Sequence, residues 1–327
     1  MRLPRVKISP EEGEALFHCT TRTVNGAWLW AERDQEVLRK QIWQLAEACG
    51  VEVLTYAILS NHFHVLVRVP RAAPVSDEEL LRRHALRNPR PNKYQLISLA
   101  TVRTQLATQD PEGLRWRERE LKLMGDISQY MKLLKLRFSK YYNRAHRRFG
   151  TLYAERFTSV IVEGKDHLMT IMAAYIDLNA VRAGIVADPK DYRFCGYAEA
   201  VAGSQPARRG LQQVVEIDDW PKAQAVYRTT LYAIGAGERA KGKVIPAEHF
   251  NRVVRQGGKL PLADTLHCRV RYLTRGAVLG SEDFVARHFT AYCARTGLRL
   301  RPPRELPVRS AGGAVMALHG LRSAGFG

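Results

Sequence analysis

Two apolar, β-rich runs, VEVLTYAILSN and HFHVLVRVP, meet at Ser60-Asn61. A turn-forming pair between such runs, with Pro70 stopping the second, predicts a β-hairpin that the rest of the fold must cover. The flanks supply the cover. LFHCTTRTV (16–24) alternates polar and apolar residues and ends at Asn25-Gly26, which predicts a further strand. AERDQEVLRKQIWQLAEACG places Val37, Leu38, Ile42, Leu45 and Ala46 at helical spacing, with Gly50 just past the end, so an amphipathic helix joins that strand to the hairpin. ISQYMKLLKLRFSKYYNR repeats the helical period through Ile127, Tyr130, Met131, Leu134, Phe138 and Tyr141, and TLYAERFTSVIVEG predicts another strand or two. DHLMTIMAAYIDLNAVRAG then predicts a helix capped by Asp166 and closed at Gly184. The order β-α-β-β-α-β-α predicts an α+β protein with a ferredoxin-like antiparallel sheet, helices on one face and one helix appended.

The segment from about 71 to 125 is rich in charge and proline and reads as an insertion, with an apolar helical stretch around Tyr94 to Leu106. The pattern changes again near 203, which divides the chain into a domain at 1–203 and a mostly helical region at 204–327. Within the latter, LHCRVRYLTRGAVLGSEDFVARHF (266–289) alternates basic and apolar residues, and its breaks at Gly276 and Gly280 suggest a helical DNA-recognition module or a helical cap. No period of 20 to 50 residues repeats.

The 51 Lys and Arg against 32 Asp and Glu give a formal net charge of +19, while 46% hydrophobic and 25% charged residues are ordinary for a folded body. The expected partner is therefore densely negative, with nucleic acid first. The 5 cysteines (Cys19, Cys49, Cys195, Cys268, Cys293) are odd in number and form no Cys-x-x-Cys pair, so a reducing cytoplasm is expected. No apolar run reaches the roughly 18 residues of a membrane span, and the N-terminus has no signal-peptide core.

His62 and His64 stand two apart on a predicted strand, so both imidazoles point the same way and can share one metal ion. Taken alone, the pair is more often one core and one surface histidine, and a third ligand must come from elsewhere. Tyr175 and Asn179 are i and i+4 on a predicted helix, with Met172 and Arg182 near the same stripe. Across the histidine-bearing face, Asn179 could offer a neutral oxygen to the ion and Tyr175 could reach a phosphate; Tyr175 could also simply pack between helix and sheet. Two nitrogens and one oxygen leave open positions, which suits Mg²⁺ or Mn²⁺ better than structural zinc. Arg137, Lys140, Arg144, Arg147, Arg148 and Arg156, interleaved with Phe138, Tyr141, Tyr142, Phe149 and Tyr153, describe a groove for single-stranded or hairpin DNA, with Arg22 on the first strand counted among the cations. A solvated helix face is the plainer alternative. Phosphate-binding Gly-x-x-x-x-Gly-Lys, Gly-x-Ser-x-Gly and His-Glu-x-x-His motifs are all absent.

LFHCTTRTVNG, AILSNHFHVLVRVP, FGTLYAERF and AAYIDLNAVRAGIVADPKDYRFCGY together resemble the HUH endonuclease superfamily, and within it the single-tyrosine transposases, most closely the REP-associated tyrosine transposases. The resemblance spans about residues 14 to 200. It implies that His62 and His64 act as metal ligands with Asn179 as the third, and that Tyr175 is the nucleophile. The reaction it implies is DNA nicking and strand transfer near palindromic hairpin repeats through a 5′-phosphotyrosine, with Mg²⁺ or Mn²⁺ as cofactor. It departs from the family at Ala180, where proline is common, and in the long insertion. A monomer or homodimer, cytoplasmic and nucleoid-associated, is expected. A domesticated hairpin-binding protein that no longer cuts is the alternative, and a replication initiator or relaxase is a further rival that lacks its usual added motifs.

Overall fold

A computed structural model describes residues 5, 6, 8, 13–89, 98–164, 168–235, 276–298, 301–310 and 313–319. The N-terminal elements follow the sequence order: strand β1 (Ala15–Arg22), helix α1 (Glu32–Cys49), and strands β2 (Glu52–Ile58) and β3 (His62–Val69). α1 stops because Gly50 takes a left-handed conformation at φ 63°. Helix α5 (Ile127–Ala145) begins where the Asp126 carboxylate accepts from the amides of Ser128 and Gln129. Strand β4 (Thr158–Val162) follows, then helices α6 (Leu168–Asp177) and α7 (Asn179–Arg182). Between β3 and α5, helices α2 (Asp77–Arg87), α3 (Leu99–Ala107) and α4 (Pro111–Leu121) gather around Leu80, Leu81, Val102, Leu106 and Trp116, a small core separate from the main one.

β2, β3, β1 and β4 lie side by side in that order, and each neighbouring pair is antiparallel. The sheet continues. Strand β5 (Gly276–Gly280) pairs parallel to β4, and β7 (Gly313–His319) and β6 (Arg304–Ser310) follow antiparallel, giving a mixed seven-stranded sheet in an α+β protein. The expected antiparallel sheet is thus corrected to a mixed one by the parallel β4–β5 pair. Helix α8 (Gly196–Val201) precedes residue 204, and beyond it helices α9 (Gln205–Val215), α10 (Trp220–Gly235) and α11 (Glu282–Thr296) make up most of the described residues, joined by the three further strands that the expected mostly helical region did not include. The glycines read as helix breaks bound a wholly buried strand, and residues 266–275 of that expected module lie outside the described residues. A short run buried on both faces has no alternation to betray it.

Helices also cover both faces of the sheet, where one face was expected. Phe63 packs near Trp30, whose ring meets Phe138 of α5, and Tyr56 meets Trp43 of α1. The adjacent residues point the other way: Thr55 bonds Asp177 of α6, and His64 meets Tyr175 of α6. α9 also packs on β2, where a Cβ on Gly210 would come within 2.4 Å of the Leu54 carbonyl oxygen. The four described cysteines, Cys19, Cys49, Cys195 and Cys293, are free thiols, and no described helix is long and apolar enough to cross a membrane.

Candidate active site and nucleic-acid surface

Partners in an antiparallel pair project to one face, so the register Thr20 to His64 and Arg22 to His62 sets the side chains of His18, Thr20, Arg22, His62 and His64 together. His64 Nδ1 lies 2.9 Å from His18 Nε2, and Thr20 Oγ1 is 3.3 Å from the same His64 nitrogen. His62 Nδ1 lies 2.6 Å from Asn61 Oδ1. An amide oxygen only accepts, so His62 carries its proton on Nδ1 and its Nε2 keeps the lone pair. The His62 and His64 rings stand 5.2 Å apart, nearly perpendicular. Burial, helped by the charges of Arg22 and Arg182, pulls His62 down to about 4. Burial, then the neighbouring imidazoles, holds His64 well below the usual histidine value. Both rings are neutral at neutral pH, the state in which imidazole binds metal.

α6 crosses above this face. The Tyr175 ring lies 6.0 Å from His64 and 6.1 Å from His18, edge-on to each, and the Arg182 guanidinium carbon sits 4.4 Å over it. Arg182 Nη1 is buried without a hydrogen-bond partner. The height of α6 is set by Asp177, a fully buried carboxylate that accepts from Thr55 Oγ1 at 2.9 Å, Tyr227 Oη at 2.6 Å and the Tyr197 amide at 3.0 Å. Burial raises its pKa to about 6, against these hydrogen bonds. The single helix expected from 166 to 184 is instead two, broken at Leu178 (ψ 0°); Asp166, the expected cap, lies outside the described residues. Asn179 Nδ2 donates to the carbonyls of Tyr175 and Ile176 at 3.1 and 3.0 Å, holding the break together. Its amide nitrogen is thereby committed to the helix, and Oδ1 is the end with capacity for another partner.

Among the described residues no group of three His, Cys, Asp or Glu side chains is arranged to hold a metal. An ion here would need a mixed set of two neutral imidazoles and an amide oxygen. That set fits an open site completed by phosphate oxygens and water.

The expected basic groove divides into three. Arg137 turns away, donating to the Arg87 carbonyl at 3.2 Å. Lys140 and Arg144 are exposed on α5, which covers the sheet face opposite the histidines. Arg147, Arg148 and Arg156 belong to the segment after α5, which returns to the end of β1: the Val24 amide bonds the Leu152 carbonyl and the Ala154 amide bonds that of Arg22, each at 3.0 Å. Residues 152–154 of that segment thus lie against the strand end bearing Arg22, and Arg148 Nη1, earlier in the segment, is buried without a partner. Of the interleaved aromatics, Phe138, Tyr142 and Tyr153 are buried in the core and cannot stack bases, whereas Phe149 is 95% exposed. Sequence reasoning missed His18, Asp177 and the exposed Trp28. His18, Thr20 and Arg22 do form a polar period-two stripe on β1, and that signal could have found the first of them.

No family model matches the chain, and no curated protein matches it. Among solved structures, that of a REP-associated tyrosine transposase bound to a REP hairpin is similar over 62% of this chain and 86% of that chain, at 14% identity and a TM-score of 0.35. At that level the functional reading rests on the geometry.

Proposed function

We propose that the chain is a metal-dependent endonuclease and strand transferase of single-stranded DNA, acting near palindromic hairpins through a 5′-phosphotyrosine. The observation that carries this reading is the meeting of the Tyr175 phenol ring with His18 and His64 beneath Arg182. Nε2 of His62 and of His64 and Oδ1 of Asn179 would hold Mg²⁺ or Mn²⁺. When bound, the ion supplies Lewis-acid polarisation of the scissile phosphate. Arg182, whose Nη1 has no protein acceptor, pairs with a phosphate oxygen. Tyr175 Oη attacks phosphorus and loses its proton to water, while the bond from phosphorus to the 3′ oxygen breaks and that oxygen leaves as a 3′-hydroxyl. One phosphodiester replaces another, so the step reverses without an energy source and a second 3′-hydroxyl can complete transfer. The other tyrosines amid cations serve this chemistry less well: Tyr141 donates to Asp34 and Tyr142 to the Leu29 carbonyl, on the far side of the sheet.

Labelled hairpin DNA incubated with the protein and Mn²⁺ should yield a protein-linked fragment on a denaturing gel, and Tyr175→Phe should abolish it while binding stays near normal. An adduct mapping to the peptide of Tyr141 and Tyr142 would overturn the assignment. A non-cleaving hairpin-binding protein is the second reading, favoured by the 4% exposure of Tyr175. Tight binding with no adduct on any palindrome flanking the coding region would select it.

A further inference from the structure

Trp28 is 77% exposed in a loop whose backbone is tied down on both sides of it. The loop from Val24 to Trp30 is pinned along its length. Thr23 Oγ1 donates to the Ala27 carbonyl at 2.7 Å, Asn61 Nδ2 donates to that of Gly26 at 2.9 Å, and the amides of Leu29 and Trp30 both reach the Ser60 carbonyl. A large ring held in water by a rigid loop is a preorganised contact surface, because the cost of ordering it has been met before any ligand arrives.

Its surroundings name the ligand. The loop continues from β1 directly after Arg22, and its Val24 amide ties it to the segment carrying Arg147, Arg148 and Arg156. That segment presents the second exposed aromatic, Phe149. Asn61 also joins the loop to the candidate site, since its Oδ1 accepts from His62 Nδ1 while its Nδ2 holds Gly26. Exposed π faces on paired segments that also carry arginines fit unpaired nucleotides, with phosphates on the arginines and bases on the rings.

We infer that Trp28, with Phe149 as a second platform, stacks the unpaired bases of a DNA strand next to the His62 end of the sheet. The inference rests on the proposed function for the identity of the strand, and it is tested by binding alone. On the Tyr175→Phe background, which cannot form an adduct, the probes are a fluorescent hairpin with a short unpaired thymidine tail and the same hairpin with an abasic tail. Trp28→Ala should weaken binding of the thymidine-tailed hairpin by roughly 5- to 150-fold. It should leave the abasic-tailed hairpin and the salt slope unchanged, and Trp28→Tyr should restore most of the loss. Trp28→Ala should also unfold at the parent urea concentration, since the ring is exposed. Equal affinity of parent and Trp28→Ala for the thymidine tail would overturn the inference, and so would an equal loss on both tails, which would mean that the ring does not stack the tail bases. Absence of an adduct in the cleavage assay leaves this result intact, whereas failure of parent and variant to bind either hairpin would remove both readings.

Discussion

Phe63 and His64 are neighbours in the chain that live in different environments. Phe63 is fully buried near Trp30 under α1 and α5, on a face where Cys19, Val65 and Val67 are also sealed from water. His64, on the other face, touches His18, His62 and Tyr175, and the nearest charges are the arginines at 22 and 182. One face is held mainly by apolar burial. The other spends buried area on imidazoles and a phenol, groups that pack less favourably than aliphatic side chains and so need a chemical reason to be there.

The largest test of that contrast compares the two neighbours. Phe63→Ala should lower stability by about 3–5 kcal/mol in urea unfolding, the cost of a cavity in a closed layer. His64→Ala should cost only about 1 kcal/mol, for the lost contact to His18. It should nevertheless abolish the DNA adduct while keeping most of the DNA affinity. Equal destabilisation by both would mean that the histidine face is merely another part of the core.

A smaller effect separates cations by where they point. Arg148→Ala should reduce the salt slope of single-strand binding by about 0.7, the value of one lost phosphate contact. Arg137→Ala should leave the slope unchanged, because its guanidinium is occupied at the Arg87 carbonyl. Titrating DNA affinity against salt for both variants checks the difference.

The smallest effect lies on the outer surface of α1, the cover of the apolar face. The Arg39 hydrogen bond to Glu36, with Arg193 adding to it, lowers that carboxyl from 4.5 to about 2. Between those values the folded state binds fewer protons than the unfolded, so stability rises with pH through the window. Its contribution is complete above 4.5 and is lost as pH falls through about 2. Glu36→Gln should make the acid limb of the stability curve slightly shallower, by a small amount because the pair is partly open to solvent. An unchanged limb would show that surface charge on this cover helix contributes nothing.

Much of the fold was legible because it is written in local periods. The strands at 15–22, 52–58 and 62–69 are β-rich runs and the helices at 32–49 and 127–145 repeat their apolar residues at helical spacing, and their ends carry Asn25-Gly26, Gly50, Asp126 and Pro70. The seventh part of that pattern misled: 168–182 has the composition of one helix, but the Asn179 side chain competes for the carbonyls that would continue it, and the helix breaks. At 276–280, two glycines around three apolar residues carry no period at all. Pairing with β4, with the Ser281 amide and hydroxyl on the Glu163 carboxylate, is what makes that run a strand.

By itself the sequence determined that His62 and His64 share a face and that Tyr175 and Asn179 stand one helical turn apart, because strand and helix periods are properties of the local backbone. Only the tertiary structure decided that α6 covers the histidine face, that His18 joins it through the β1–β3 register, and that Phe138, Tyr142 and Tyr153 are core while Trp28 and Phe149 meet water. Those outcomes depend on which elements bury which surfaces. Burial is shared between residues far apart in the chain, so no local pattern encodes it.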